Sequence, residues 1–250
     1  MSTHKSVRLT VKRQNAPSAE SYWESFDIPW KPHANIISCL QDIQCRPVTA
    51  EGKEVNPVAW DCNCLEEVCG SCTMVINGKV RQACTALIDQ LELPIYLEPM
   101  SKFPTQRDLQ VDRSRIFENL KKVKAWVPID GTHDQGEGPV ISDQTRAQRY
   151  VLSECMSCGC CLEACPQFSL DNKFMGAATF SQVRLFNLHP TGAMHTEERL
   201  EAVMGEGGIT DCGNAQVCVE VCPKNIPLTE SIADIGRQTT LQAIKNIFQK

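Results

Sequence analysis

No stretch of about 18 apolar residues occurs in this 250-residue chain, so no segment crosses a bilayer unaided. Met1 to Glu20 is polar and lacks the apolar core of a secretory signal, so the expected compartment is the cytosol. A glycine-rich nucleotide fingerprint is also missing, which leaves no flavin or nicotinamide site in view. Positive charge is not in excess. The formal net charge is −5, opposite in sign to the footprint of a nucleic-acid-binding protein. Cysteine, by contrast, is abundant, at 15 residues. That density falls short of the roughly 8–10% of a short secreted disulfide scaffold. The number is odd, so internal pairing cannot use every thiol. Disulfides are rare in a reducing compartment, and metal is the use that remains. Hydrophobic residues make up 42%, enough for a core, and the length allows one or two domains.

The cysteines fall in three groups: Cys39 to Cys84, Cys155 to Cys165, and Cys212 to Cys222. Around the first group the pattern is of strands and turns. Val7, Leu9 and Val11 alternate with polar residues, as in a half-buried strand. Met74, Val75 and Ile76 run into Asn77-Gly78, a two-residue hairpin signal. A short helix is expected over 35–44, and Leu91, Leu93 and Ile95 suggest a last strand. Pro99 and Pro104 read as linker punctuation. Beyond about residue 106, Ile116, Leu120 and Val123 recur at helical spacing behind a possible Asp112 cap. The segment Val127 to Pro139 is turn-rich, and further helices are expected at about 143–154, 176–187, 196–205 and 229–248. The division expected is a β-rich domain over 1–106 and a helical domain over 107–250.

Cys64, Cys69 and Cys72 have the spacing C-x4-C-x2-C, and Cys84 follows after the hairpin. The first three match the plant-type 2Fe–2S ferredoxin pattern. A loop with three thiolates wraps one side of such a group while a fourth arrives from a neighbouring strand. Gly70 lets the backbone come close, so N–H groups can point at sulfur. Four thiolates would also suit zinc, but zinc sites ordinarily pair two C-x2-C knuckles. Cys62 competes with Cys64 as first ligand; the four-residue gap favours Cys64. Cys39 and Cys45, on or beside the expected helix, read as small buried hydrophobes.

Cys155, Cys158, Cys161 and Cys165, followed by Pro166, form the bacterial ferredoxin run, whose fourth Cys ligates the other cluster of a pair. A second run falls on the same grid: Cys212, Ala215, Cys218, Cys222 and Pro223. Its second position has no thiol. Crossed counting gives Cys155, Cys158, Cys161 and Cys222 to one group, a full set for 4Fe–4S. The other keeps Cys165, Cys212 and Cys218, a set suited to 3Fe–4S, the alternative being a fourth iron held by water or another side chain. Cys160 fits neither grid. No site shows an open catalytic position, so the chain reads as an electron wire.

The stretches CLEEVCGSCTMVINGKVRQAC, CMSCGCCLEACP and CGNAQVCVEVCP, in this order, closely resemble the iron–sulfur subunit of succinate dehydrogenase and fumarate reductase. Pro94 to Arg107 and Lys121 to Asp130 share the likeness. The segments NPVAWDCNCLEEVCGSC, LFNLHPTGAMH and DCGNAQ resemble the Gram-positive subclass, which works with a diheme membrane subunit and menaquinone. The resemblance implies an α+β chain: an N-terminal β-grasp 2Fe–2S ferredoxin domain, facing a flavoprotein partner, followed by a helical bacterial-ferredoxin-like domain facing the anchor. It implies electrons drawn from the FAD of that partner, passed along the 2Fe–2S, 4Fe–4S and 3Fe–4S clusters, and delivered to quinone at a membrane-anchor cytochrome b. The expected place is the cytoplasmic side of the membrane, with no nucleic acid as partner. Fumarate reduction, and a free polyferredoxin carrier, are the competing functions.

One departure from the family concerns quinone. Ubiquinone-using relatives carry a Trp soon after the Cys-Pro of the second group and a His beside the first Cys of the third. Here those places hold Ser169 or Leu170, and Gly213, so no quinone pocket is carried over. His189 and His195 read as capping or surface histidines, with a proton-relay or quinone role as the alternative. Arg113, Arg115, Lys121, Lys122 and Lys124 read as a solvated helix face, with a flavoprotein docking face as the alternative. Trp23, Trp30, Trp60 and Trp126 read as core or interface anchors.

Overall fold

The computed structural model describes residues 6–127 and 140–249. Most of the turn-rich segment read from the sequence, at 128–139, lies outside them. The chain divides into two compact units, Met1–Arg113 and Ser114–Lys250.

In the first unit β1 (Ser6–Arg13) pairs antiparallel with β2 (Tyr22–Pro29) and parallel with β5 (Ile95–Glu98), while β3 (Thr73–Ile76) pairs antiparallel with both β4 (Lys79–Gln82) and β5. The resulting five-stranded mixed sheet has the order β2-β1-β5-β3-β4. Its inward side chains include Val7, Leu9, Val11, Phe26, Met74, Ile76, Ile95 and Leu97, all buried. Helix α1 (Ile36–Cys45) covers them with Ile36, Ile37, Leu40 and Ile43. Its N-cap is Asn35, whose side chain accepts from the Ser38 N–H at 2.9 Å. Asn77 and Gly78 both have positive φ, which is the geometry a two-residue hairpin needs to match strand twist.

Two expectations are corrected here. The last strand begins only at Ile95; Leu93 is exposed and Leu91 lies in a turn before it. The stretch punctuated by Pro99 and Pro104 is packed rather than a linker, because Met100, Phe103 and Leu109 are buried and β6 (Thr105–Arg107) pairs with β7 (Gln110–Val111). That small hairpin belongs to the first unit.

The second unit is helical: α2 (Ser114–Lys122), α3 (Asp143–Ser153), α4 (Cys160–Ala164), α5 (Ala177–Asn187), α6 (Thr196–Met204), α7 (Val217–Glu220) and α8 (Leu228–Phe248). Helix α5 is central, packing on α2, α3, α4, α6 and α8, and the two short helices α4 and α7 pack on each other. At Gly176 (φ +80°), just before α5, a Cβ would come within 2.0 Å of Leu162 Cδ2, so the absence of a side chain lets α4 and α5 close up. Among the described residues no helix is long and apolar enough to cross a membrane.

Candidate iron–sulfur centres

The loop between α1 and β3 gathers Cys64, Cys69 and Cys72. Its backbone turns through positive φ at Leu65, Glu67 and Gly70. Such turns make concave nests in which N–H groups point inward at negative charge. Here the N–H groups of Glu66 and Val68 donate to Cys64 Sγ (3.4 and 3.3 Å), and that of Ser71 donates to Cys69 Sγ (3.4 Å). The fold-back expected of the hairpin is present: the Ala83 N–H donates to the Cys72 carbonyl at 3.1 Å, which brings Cys84 beside the loop. Asn35 ties this point to the helix, donating from Nδ2 to the Cys84 carbonyl at 2.8 Å.

Electrostatics confirm the gathering. Burial resists ionisation of Cys69, but hydrogen bonds from the Ser71 side chain and then from the N–H groups of Cys64 and Ser71 outweigh it and bring the thiol down to about 6. Cys84 is pushed up to about 12, first by burial and then by its contact with Cys72. Cys62 is exposed, yet its thiol is raised by partial burial and by Cys69, Cys84 and Cys64, so the competing first ligand stands beside the same group. Cys39 is buried as expected, with burial pushing its thiol up to about 12. Cys45 is exposed instead, because it falls in the last turn of α1 on the face away from the core.

In the second unit the two runs share one backbone shape. Ser157 and Gly159 have positive φ two and four residues after Cys155, and Asn214 and Gln216 have positive φ two and four residues after Cys212. Each run then enters a short helix, α4 or α7. The left-handed conformation is costly for a residue such as Gln216, by roughly 1–2 kcal/mol. Ala215 therefore sits in a run that keeps the shape of its twin and has lost only the thiol.

Each group of sulfurs takes its last member from the other run. Cys161 is buried, which raises its thiol well above the ordinary range, and Cys158, Cys155 and Cys222, then Cys218, add to the rise. Cys155, Cys158, Cys161 and Cys222 line one recess, together with Cys160. Cys218 is raised by burial and then by Cys165 and Cys212. Those three line a second recess, together with Ala215. Cys160 is buried at the edge of the first recess. Among the described residues no three His, Cys, Asp or Glu side chains close on a point suited to a single ion. Thiols ringing larger recesses, with backbone N–H groups aimed at sulfur, are a donor set that fits iron–sulfur groups.

Two arginines do more than the sequence indicated. Arg113 donates to the carbonyls of Gly70 and Ser71 in the first cysteine loop. Arg115 donates to the carbonyls of Ser169 (2.6 Å) and Phe174 (2.9 Å), and its guanidinium lies 4.1 Å from the centre of the Phe168 ring. Neither belongs to a solvated helix face; both fix loops. His189 caps, since its Nδ1 accepts from the N–H groups of Thr191 and Gly192, both at 3.1 Å. His195 pairs with Glu198 at the surface. At Gly213 a Cβ would meet Gln167 Nε2 at 2.4 Å, so the Gln167 amide fills the space a side chain would take. Trp30 and Trp60 pack against the core, whereas Trp23 and Trp126 are half-exposed.

Comparison with known proteins agrees with this geometry. Residues 8–118 match the model of a 2Fe–2S iron–sulfur cluster binding domain, and residues 151–226 that of a 4Fe–4S dicluster domain. A succinate dehydrogenase iron–sulfur subunit of Bacillus subtilis (strain 168) is 60% identical over 248 residues, 99% of this chain and 98% of that one. A fumarate reductase iron–sulfur subunit of Haemophilus influenzae is 30% identical over 238 residues, 90% of each chain. A chain of the Mycobacterium smegmatis Sdh1 complex in the apo form superposes with a TM-score of 0.78 at 21% identity, covering 94% of this chain and 95% of that one, and so shares the fold. With a 2Fe–2S domain followed by a 4Fe–4S domain, and identity of this extent along its whole length, the chain belongs to the family of iron–sulfur subunits of succinate dehydrogenase and fumarate reductase.

Proposed function

We propose that this chain is the electron-carrying subunit of a succinate:quinone oxidoreductase, with Cys64, Cys69, Cys72 and Cys84 holding a 2Fe–2S group in the domain expected over 1–106. In the part expected over 107–250, Cys155, Cys158, Cys161 and Cys222 hold a 4Fe–4S group, and Cys165, Cys212 and Cys218 a 3Fe–4S group. The observation that carries the ligand sets is the sharing of thiols between the two runs: Cys222 joins Cys155, Cys158 and Cys161 round one recess, which Cys160 also lines off the ligand grid, and Cys165 joins Cys212, Cys218 and Ala215 round the other. Bound in these places, the groups supply one-electron steps. The chain's own part is to supply thiolates, to direct N–H groups at them, and to keep water away from Cys72, Cys84, Cys161 and Cys218, all buried.

The dicarboxylate site and FAD belong to a flavoprotein partner. The electron acceptor is a quinone, menaquinone by the subclass resemblance, at a diheme cytochrome b anchor on the cytoplasmic side of the membrane. The 60% identity to a succinate dehydrogenase subunit, against 30% to a fumarate reductase subunit, favours succinate oxidation as the working direction. Electron paramagnetic resonance of the purified complex tests the assignment. A 2Fe–2S signal is expected on reduction and a 3Fe–4S signal in the oxidised state. Zinc in place of iron would overturn the whole proposal. Ala215→Cys supplies the missing thiol and is expected to remove the oxidised-state 3Fe–4S signal; its persistence would refute the reading that the absent thiol at position 215 sets the kind of group bound.

A further inference from the structure

Arg113 has two independent contacts with the first cysteine loop. Its two terminal nitrogens donate separately, Nη1 to the Gly70 carbonyl and Nη2 to the Ser71 carbonyl. Thr73 Oγ1 donates to the same Gly70 carbonyl at 2.8 Å. The peptide unit that carries the Gly70 carbonyl also carries the Ser71 N–H, which donates to Cys69 Sγ at 3.4 Å. The chain of contacts therefore runs from guanidinium to carbonyl, through one peptide plane, to N–H and sulfur. Hydrogen bonds in series polarise one another, by roughly 10–30% per bond. A fixed cation on the carbonyl side makes the N–H a better donor on the sulfur side. It also holds Gly70, at φ +71°, in the conformation that aims the next N–H inward.

We propose that Arg113 is a positioning residue that raises the reduction potential of the group held by Cys64, Cys69, Cys72 and Cys84; this rests on the ligand assignment above. One-electron reduction adds one negative charge at that site. A cation and the peptide dipoles it orients both favour the more negative state. Arg113 reaches the cysteine loop through two backbone carbonyls. It acts through Gly70 and Ser71. The forked guanidinium matters as well as the charge, because two carbonyls on successive peptides are engaged at once.

The test is a reductive titration of the intact complex, following the reduced 2Fe–2S signal, with the oxidised-state 3Fe–4S signal as internal control. Arg113→Gln is expected to raise the oxidised-to-reduced ratio at fixed ambient potential about tenfold, equivalent to ~59 mV for a one-electron couple. Arg113→Lys keeps the charge and gives up one of the two contacts, and is expected to shift the ratio the same way by about threefold. If the Gln variant fails to retain the group, the Lys variant decides. An unshifted midpoint in a variant that keeps its signal would overturn the inference. So would an equal shift of the control signal, or loss of the group in both variants, which would mark Arg113 as a folding residue only. Absence of the reduced 2Fe–2S signal from the unaltered complex would instead defeat the ligand assignment.

Discussion

Arg13 ends a strand whose odd positions, Val7, Leu9 and Val11, all point inward, and it continues that face as a charge, 1% exposed. It survives burial because its donors are engaged. Nε donates to Asp108 Oδ1 at 2.8 Å, Nη1 to Glu24, and Nη2 to the Asn56 carbonyl at 3.0 Å. Asp108, with no exposed surface, also accepts from the N–H groups of Gln14 (3.1 Å) and Ala59 (2.8 Å). One ion pair thus fixes the segment at 56–59, just ahead of the cysteine loop, to the end of β1. Removing one partner of such a pair leaves the other charge buried and uncompensated, which costs about 3–5 kcal/mol. Arg13→Met is therefore expected to lower the denaturant midpoint severely. Arg8→Ala removes an exposed pair with Asp27, screened by solvent, and is expected to leave the denaturant midpoint nearly unchanged. Equal midpoints for the two variants would contradict the role given to Arg13. Period-2 alternation puts residue 13 on the inner face, but nothing in the sequence names Asp108, 95 positions away, as its partner.

Helix α1 shows how an element serves the site it does not contain. Asn35 caps it, and the same side chain donates to the Cys84 carbonyl. Asn35→Ala loses these two bonds and a third, accepted from the Ser38 hydroxyl, and is expected to destabilise the protein by about 1–2 kcal/mol. Asn35→Asp keeps the acceptor for Ser38 but cannot donate to Cys84, so its denaturant midpoint should fall between Ala and wild type. An Asp variant as stable as wild type would show that the Cys84 bond contributes nothing. This helix, the Asn77-Gly78 hairpin and the long helices α3, α5, α6 and α8 are legible in the sequence because each is long enough, or its turn specific enough, to display a period or a cap. Strand β2 is not, since Tyr22 and Trp23 are exposed and only Phe26 and Ile28 mark its inner face. Helices α4 and α7 span five and four residues, too short for a helical period to appear. The cysteine grid is legible because ligand spacing is local. Arg113 and Arg115 are not, because a hydrogen bond to a backbone carbonyl leaves no mark on the sequence of its acceptor.

At the scale of the whole C-terminal unit, the proposed ligand crossing is a folding constraint as well as an electron path. Cys165 closes the first run yet stands with Cys212 and Cys218, and Cys222 closes the second yet stands with Cys155, Cys158 and Cys161. A group bound in either recess therefore joins chain segments separated by helices α5 and α6. Binding energy of that kind is folding energy where the site is not formed in the unfolded chain. Two consequences follow from exchanging one thiolate at a time. Cys222→Ser should remove the 4Fe–4S group, although the residue lies in the run that otherwise serves the three-thiolate site. Cys165→Ser should remove the oxidised-state 3Fe–4S signal, although it lies in the other run. If each substitution abolished the signal assigned to its own run, the ligands would be uncrossed and the recess assignment wrong. Both variants should also unfold at lower temperature than wild type, because each releases one of the two ties between the segments around 155–165 and 212–222. The signal that disappears identifies the tie that was cut, and the fall in unfolding temperature measures what that tie holds together.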